Sequence, residues 1–203
     1  SLANNDFVLS VNPKLPVKTL AEFVDLARTS NPPLFYGSSG NGSQHHLTME
    51  MLSQAAGIQL KHVPYKGGSP ATAATIAGEV SCMFAGSSTA PQIKAGNLRA
   101  IATTGLKRSA AFPDVPMIAE TYPGFQNSIW LGVFAPNGTP PDVVKRLRTE
   151  VVKAQLKQSL IDRFNNAGGM EPYAVSPEQF SEKIRSDYAK FGKLVKQIGV
   201  TLG

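Results

Sequence analysis

The sequence predicts an α/β fold, and three observations support this prediction. Between Phe7 and Gly105 a pattern of strand, Gly/Ser-rich turn and amphipathic helix is repeated, which is typical of parallel strands joined by crossover helices. After Thr139 the apolar residues follow helical spacing. The chain has 203 residues, of which 42% are hydrophobic and 17% charged, so it is long enough for one large domain or two small lobes.

Capping residues mark where the helices of the repeated pattern begin. Thr19, with Glu22 three residues later, forms a capping box that predicts the start of the first helix. A second helix is expected from about Gln44, and a third is expected after Ser69 as its N-cap. The predicted strands cover residues 34–36, 60–63, 80–84, 98–104 and 128–135.

The C-terminal third is predicted to be helical. Thr139 and Pro140 are expected to start one helix, and Ser176 with Pro177 is expected to start another. The apolar residues of the first of these helices recur at intervals of three and four, at Val144, Leu147, Val151 and Ala154.

Composition and charge exclude several classes of protein. The net charge of +6 favours anionic partners, but the basic residues are dispersed, so no nucleic-acid-binding stripe is predicted. The chain has no run of the roughly 18 apolar residues that a membrane-spanning helix needs. Cys82, in the apolar segment VSCMF, is expected to be a buried hydrophobic residue. The first residues lack the features of a secretory signal, so such a signal was either removed or never present.

Three Gly/Ser-rich loops are the best candidates for a binding site. The loops GSSGNGS (37–43), KGGS (66–69) and AGSS (85–88) each follow a predicted strand and precede a predicted helix. Helix N-termini carry unpaired backbone N–H groups and a partial positive charge. Loops at the carboxyl ends of parallel strands converge on one crevice. The loops therefore predict a site for a carboxylate or phosphate, with Lys66 as a candidate charge partner.

The sequence carries no catalytic or metal-binding motif that we recognise. The loop 37–43 lacks the lysine of a P-loop and the last glycine of a dinucleotide-binding turn. His46 and Glu50 share a helix face, but His45 points about 100° away and no fourth ligand is evident, so a zinc site is not predicted. We therefore predict a binding protein, not an enzyme, without metal ion or cofactor.

The chain resembles the substrate-binding receptors of tripartite tricarboxylate transporters, the Bug-type receptors. The matching segments span almost the whole sequence: YGSSGNGSQHHLTMEML, HVPYKGGSPATAATIAGEV, IKAGNLRAIATTGLKRSAAFPDVPMIAE and WLGVFAPNGTP. The resemblance implies a type II periplasmic binding protein fold, with two lobes and a ligand cleft between them. Residues 1–12 and 126–203 would form part of lobe 1, incomplete at its N-terminal side, and residues 13–125 would form lobe 2. The chain is expected to cross between lobes near residues 9–13 and 125–130.

The resemblance also implies a function. It implies a periplasmic receptor, with its signal peptide removed, that binds a small carboxylate and delivers it to the membrane subunits of the transporter. Many relatives have an acidic or amide residue where this chain has Ala85, Gly86 and Ser87, which favours a plain carboxylate over an amino acid. The expected ligand-binding residues are Ser38, Ser39, Gly40, Asn41, Gly42, Ser43, His46, Tyr65, Lys66, Gly67, Ser69, Ala85, Gly86 and Ser87.

Two other functions remain open from the sequence. Effector-binding domains of transcription regulators can share this type of fold, and such a protein would carry a DNA-binding helix-turn-helix. An enzyme that holds a phosphorylated substrate with the Gly/Ser loops is the third hypothesis. Its activity would depend on residues such as Ser39 or His46.

Overall fold

The computed structural model describes residues 1–86, 89–109, 111–166 and 170–200. The strands are β1 (Ala3–Asp6), β2 (Val8–Val11), β3 (Phe35–Ser38), β4 (Lys61–Pro64), β5 (Cys82–Ala85), β6 (Arg99–Thr103), β7 (Ser128–Leu131) and β8 (Glu171–Pro172). The helices are α1 (Leu20–Thr29), α2 (Gln44–Ala56), α3 (Gly68–Ala77), α4 (Ala90–Lys94), α5 (Pro141–Gln155), α6 (Gln158–Asn166) and α7 (Pro177–Ile198). A 3₁₀ turn covers Ile118–Glu120.

The larger sheet has five strands in the order β4-β3-β5-β2-β6. Strand β3 pairs in parallel with both β4 and β5, as the repeated pattern predicts. Strand β2, however, runs antiparallel to its neighbours β5 and β6, so the expectation of an all-parallel sheet is wrong. The repeated pattern does not set the direction of β2, because the chain enters β2 directly from β1 of the smaller sheet and not through a crossover helix of the larger one.

The smaller sheet is antiparallel, in the order β7-β1-β8. The chain passes from this sheet to the larger one at Phe7, between β1 and β2. Leu9 is paired with Phe84 and Ala102 inside β2, so the expected crossing at residues 9–13 lies too late in the chain. The chain returns to the smaller sheet before Ser128, close to the expected position. The lobe boundaries themselves stay a prediction.

The helix N-termini of the repeated units are set by local hydrogen bonds. The capping box of α1 is confirmed, since Thr19 Oγ1 accepts from Glu22 N and Glu22 Oε2 accepts from Thr19 N, both at 3.2 Å. Helix α3 begins at Gly68 with Gly67 as N-cap, so the predicted cap at Ser69 is wrong. Gly67 has φ 120°, a conformation that favours glycine and turns the chain into the helix before Ser69.

The hydrophobic core lies mainly between the larger sheet and helices α1 and α2. Its largest fully buried side chains include Phe7, Phe23, Tyr36, Leu52 and Phe84. A smaller cluster on the opposite face packs α3 against β5 and is made of Ala71, Met83 and Ala85, with Tyr65 at its margin. The sheet therefore separates a thick α2 face from a thin α3 face made of small residues.

The C-terminal helices pack loosely on the smaller sheet. Helix α7 buries Phe180 and Leu194, and its Asp187 accepts a hydrogen bond from Trp130 Nε1 at 2.8 Å. The apolar stripe of α5 stays uncovered by the residues described, since Val144 and Leu147 are 41% and 54% exposed. In the described part of the chain no helix has the length and apolar content that crossing a membrane requires.

Candidate functional site

The three Gly/Ser-rich loops meet at one edge of the larger sheet. Strands β3, β4 and β5 are parallel neighbours, so the loops that follow them leave the sheet on the same side. The first two loops are joined directly, because the backbone N–H of Tyr65 donates to the carbonyl oxygen of Ser38 at 3.0 Å. The predicted convergence of these loops is confirmed for the residues that the structure describes.

A cleft of about 600 Å³ opens at this edge, between the two sheets. This volume lies within the range of small-molecule sites. The larger sheet, α3 and α4 supply most of its wall, and β1 and β7 of the smaller sheet supply the rest. The lining residues are Asn5, His45, Gly68, Ser69, Thr72, Ala73, Ile76, Met83, Gly86, Thr89, Gln92 and Ile129.

The N-terminus of α3 faces the cleft. Gly68, Ser69 and Thr72 all line it, and they lie in the first turn and a half of the helix. Within the described residues no side chain caps this helix, so its first N–H groups are left to solvent or a ligand. The helix dipole adds partial positive charge at the same point. The arrangement suits a bound anion.

The loop between β3 and α2 is held by side chains at its two ends. Ser38 is fully buried, and its Oγ accepts from Gly40 N at 3.1 Å and hydrogen-bonds His62 Nε2 at 2.6 Å. Gly42 N donates to His46 Nδ1 at 3.1 Å. Ser43 Oγ caps α2 by accepting from His46 N at 3.3 Å. These groups position the loop and do not line the cleft.

His46 belongs to a stack of rings on the α2 face of the sheet. Its ring lies 3.9 Å from the ring of His62 with 11° between their planes, and His62 stacks in turn on Tyr36 at 4.9 Å. Tyr36 donates a hydrogen bond to Glu50 Oε1 at 2.5 Å. Burial and the neighbouring His46 lower the pKa of His62 to about 4. His46 therefore does not line the cleft in this structure, and its expected role in ligand binding stays a prediction.

His45, the residue next to it, lines the cleft instead. Its Nδ1 hydrogen-bonds Ser39 Oγ at 2.7 Å, and its ring lies edge-on to Phe7 with 5.0 Å between centroids. Burial lowers the pKa of His45 below its ordinary value, which favours the neutral ring. Adjacent residues of a helix point about 100° apart. Two neighbouring histidines therefore cannot both face the cleft.

The remaining predicted site residues fall into three groups. Ser69 and Gly86 line the cleft. Gly86 lies beside the side chain of Asn5, because a Cβ built on Gly86 would be 3.5 Å from Asn5 Nδ2. Asn41 and Lys66 are exposed and do not line the cleft. Tyr65 packs beneath α3, Ala85 is buried within β5, and the backbone of Gly67 starts α3. Ser87 lies outside the described residues.

Sequence reasoning missed several cleft residues. Asn5 is in β1, which alternation of apolar residues does not reveal because the strand reads ANND. Thr72 follows Ser69 by three positions on the same helix face, so helical spacing alone indicates it. In the described part of the chain, no group of three or more His, Cys, Asp or Glu residues is placed to hold a metal ion.

A model of the family described as tripartite tricarboxylate transporter family receptor matches residues 1–200. The chain belongs to this family. Among curated relatives, the UPF0065 protein in the gbd 5′ region of Cupriavidus necator is 34% identical, covering 98% of this chain and 61% of the relative. BugT of Bordetella pertussis is 30% identical, and the match covers 96% of this chain and 60% of BugT. The chain thus spans about three fifths of these relatives' length.

Several solved structures superpose on nearly the whole chain. Rpa4515 of R. palustris, determined with adipate, has a TM-score of 0.86 and 31% identity, covering 98% of this chain and 67% of that one. The periplasmic binding protein BugD has a TM-score of 0.83 and 28% identity, covering 98% of this chain and 68% of BugD. MatC (Rpa3494) from Rhodopseudomonas palustris, with bound malate, has a TM-score of 0.80 and 26% identity, covering 95% of this chain and 67% of MatC.

The comparisons confirm the predicted fold and the predicted absence of catalysis. The chain has the fold of the periplasmic binding proteins of this receptor family. The family and these neighbours are solute-binding receptors, not enzymes. The family assignment favours a receptor over both the regulator domain and the phosphate enzyme considered from the sequence.

Proposed function

We propose that this protein is a periplasmic solute receptor that binds a small carboxylate in the cleft between its sheets. The observation that carries the proposal is the cleft itself, which places the N-terminus of α3 and several hydroxyl and amide groups around one space. The relatives Rpa4515 and MatC were solved with adipate and malate, both dicarboxylates, which supports this class of ligand.

The lining suggests how a carboxylate is held. Backbone N–H groups in the first turn of α3 donate to one carboxylate group, and the helix dipole stabilises its charge. Such an interaction contributes about 0.3–1 kcal/mol at an exposed helix end and up to about 2 kcal/mol when it is partly buried. Ser69 and Thr72 supply hydroxyl groups beside it, Gln92 of α4 supplies an amide group, and Asn5 lies on the wall formed by the smaller sheet.

Binding between two sheets supports closure as the loading step. The wall residues Asn5 and Ile129 come from the smaller sheet, and Ser69 and Thr72 come from α3 of the larger unit. A ligand that contacts both sides favours the closed arrangement by its extra affinity for it. In this proposal lobe 1 holds the smaller sheet and the chain from about residue 126 onward, and lobe 2 holds the larger sheet with α1–α4, so the first boundary lies near Phe7 instead of residue 12.

A ligand panel tests the proposal. The purified protein is heated with adipate, malate, citrate, inorganic phosphate and glucose, each near a hundredfold excess over its dissociation constant where it binds. Saturation at that level stabilises the folded state by about 2.7 kcal/mol, which raises the melting temperature by roughly 5–10 °C for a chain of this size. Stabilisation by phosphate or glucose and by none of the carboxylates would refute the proposed ligand class.

A pair of matched variants tests the site. Thr72 and Thr149 each donate a hydroxyl hydrogen bond to the carbonyl four residues earlier, at 2.9 Å, and only Thr72 of the two lines the cleft. In this proposal the Thr72 hydroxyl exchanges its hydrogen bond to the Gly68 carbonyl for a stronger one to the charged carboxylate, so Thr72→Val is expected to weaken carboxylate binding by roughly fivefold, about 1 kcal/mol. Thr149→Val makes the same chemical change outside the cleft, so an equal loss of affinity in both variants would count against this site.

We further propose that the receptor delivers its ligand to the membrane subunits of a tripartite tricarboxylate-type transporter. The family assignment supports this role. Uptake of the labelled ligand by intact cells is expected to stop when the receptor gene is deleted and to return with the wild-type gene. The Thr72→Val gene is expected to restore uptake less well at low ligand concentration. Undiminished uptake in the deleted strain would contradict the delivery role.

A further inference from the structure

The cleft lining, as far as the structure describes it, combines many neutral polar groups with one titratable side chain. That side chain is His45, and no Asp, Glu, Lys or Arg is among the described lining residues. We propose that His45 takes up a proton when the cleft binds a carboxylate, so that affinity for the ligand rises as the pH falls. This inference rests on the proposed function and adds a specificity-determining residue to it.

The orientation of the ring leaves one nitrogen for the ligand. His45 Nδ1 is engaged by Ser39 Oγ at 2.7 Å. The Cε1 edge of the ring faces the start of α3: a Cβ atom built on Gly68 would lie 4.0 Å from His45 Cε1. No hydrogen bond joins His45 Nε2 to any of the described residues, so this nitrogen is the one that remains for a ligand beside the N-terminus of α3.

No acid in the described part of the chain holds His45 in its charged form. The groups that surround the ring are the hydroxyl of Ser39 from the loop, the aromatic edge of Phe7 and the backbone of Gly68, and none of these ionises near neutral pH. On the same helix, Glu50 accepts a hydrogen bond from Tyr36 and lies 4.0 Å from His46 Nε2, on the other face. Without a counter-charge, burial keeps the pKa of His45 below its ordinary value and the ring neutral.

A bound carboxylate reverses this balance. A negative charge within a few ångström of Nε2 favours the protonated imidazole and raises the pKa of His45. Between the pKa of the empty protein and that of the complex, each binding event takes up as much as one proton. Across that interval the affinity falls by as much as about tenfold for each unit of rising pH. Above the pKa of the complex the ring is neutral in both states and the dependence disappears.

This arrangement also gives a basis for selecting anions. A neutral ligand of the same shape, such as a diamide, obtains hydrogen bonds from the cleft but no charge partner. A carboxylate obtains a charge-assisted hydrogen bond from protonated His45, and such bonds are stronger than neutral ones. The charge appears only when the anion is present, so the empty cleft does not bury an uncompensated cation.

Isothermal titration calorimetry tests the inference with adipate and malate as probes. Each acid is titrated into the protein at pH 6, 7 and 8 in two buffers with different ionisation enthalpies, which gives the number of protons taken up. The wild type is expected to take up a proton with the acid that binds and to lose affinity as the pH rises. His45→Gln keeps an amide donor near the position of Nε2 but cannot be protonated, so it is expected to bind without proton uptake.

The Thr72→Val variant serves as the control, since it is expected to bind more weakly and still take up a proton. Binding without proton uptake in the wild type would overturn the role of His45 and leave the proposed function in place. The same uptake in His45→Gln would also overturn it. Absence of binding of both acids to the wild type would overturn the proposed function and this inference together. If His45→Gln does not fold, the absence of proton uptake in the wild type still overturns the role of His45.

Discussion

Replacement of His62 by glutamine is expected to make the folded protein less sensitive to acid. His62 lies in the ring stack with His46, and its Nε2 hydrogen-bonds the buried Ser38 at 2.6 Å. Burial and His46 lower its pKa in the folded state to about 4, against 6.5 for an ordinary histidine. As the pH falls from 7 to 4, the unfolded chain therefore takes up a proton that the folded protein does not, and stability is lost over that range.

The size of this effect follows from the two pKa values. Folded and unfolded values of about 4 and 6.5 correspond to roughly 2 kcal/mol of stability lost between pH 7 and pH 5. His62 is only partly buried, so solvent screening reduces the expected loss to on the order of 1 kcal/mol. Raised carboxyl pKa values act in the opposite direction; that of Asp6, for example, is raised to about 6 by burial and by Glu171. Such groups are common to wild type and variant and cancel in the comparison.

The measurement is urea unfolding of the wild type and of His62→Gln at pH 7 and pH 5. The wild type is expected to lose more stability between these pH values than the variant, by on the order of 1 kcal/mol. An equal loss in both proteins would show that His62 titrates normally in the folded state. The ring stack would then not be the acid-sensitive element that its geometry indicates.

Three further substitutions are expected to destabilise the fold by different mechanisms. Gly105→Ala would place a Cβ 2.9 Å from Asp6 Cγ, so it is expected to lower stability by about 1–3 kcal/mol through overpacking, as measured by urea unfolding. Leu52→Ala empties a fully buried site and is expected to cost about 2–5 kcal/mol, whereas Leu106→Ala at a 61% exposed site should change stability little. Thr19→Ala removes the capping box of α1 and is expected to cost about 1 kcal/mol; no change in the unfolding midpoint would show that the cap is dispensable.

Local signals in the sequence were sufficient for the repeated units. The capping box at Thr19 and the Gly/Ser loops after buried strands predicted α1, β3 and α2 with boundaries within a few residues of those observed. The same signals predicted that three loops meet, because parallel neighbouring strands leave no other arrangement. The position of the cleft therefore follows from short-range patterns.

Long-range pairing could not be predicted in the same way. Strand β1 reads ANND and shows no apolar alternation, and its place between β7 and β8 depends on residues more than 120 positions away. Strand β2 is buried on both faces, which leaves its direction undetermined by pattern. As a result, Asn5 was not recognised as a wall of the cleft, although it lies opposite Gly86.

The choice between the two adjacent histidines also depended on tertiary contacts. Either His45 or His46 satisfies the spacing at the start of α2. The structure turns His46 toward His62 because Ser38, His62 and Tyr36 already form a polar and aromatic surface on the α2 face of the sheet. His45 then faces the cleft. Strand register, which sets the position of His62 beside Tyr36, decides this orientation, and a single helical segment contains no information about it.

The net charge of the protein and the charge of its cleft have separate physical roles. The chain carries a net charge of +6, yet no Lys or Arg is among the described residues that line the cleft. Dispersed surface charge attracts anions over distances near the Debye length and affects how fast they arrive. In the proposed site, retention would depend on short-range contacts with the first turn of α3 and with His45, which are local and little screened by salt. A basic composition therefore favours an anionic partner, while under the proposed function the geometry at Gly68 and His45 would determine which anion stays bound.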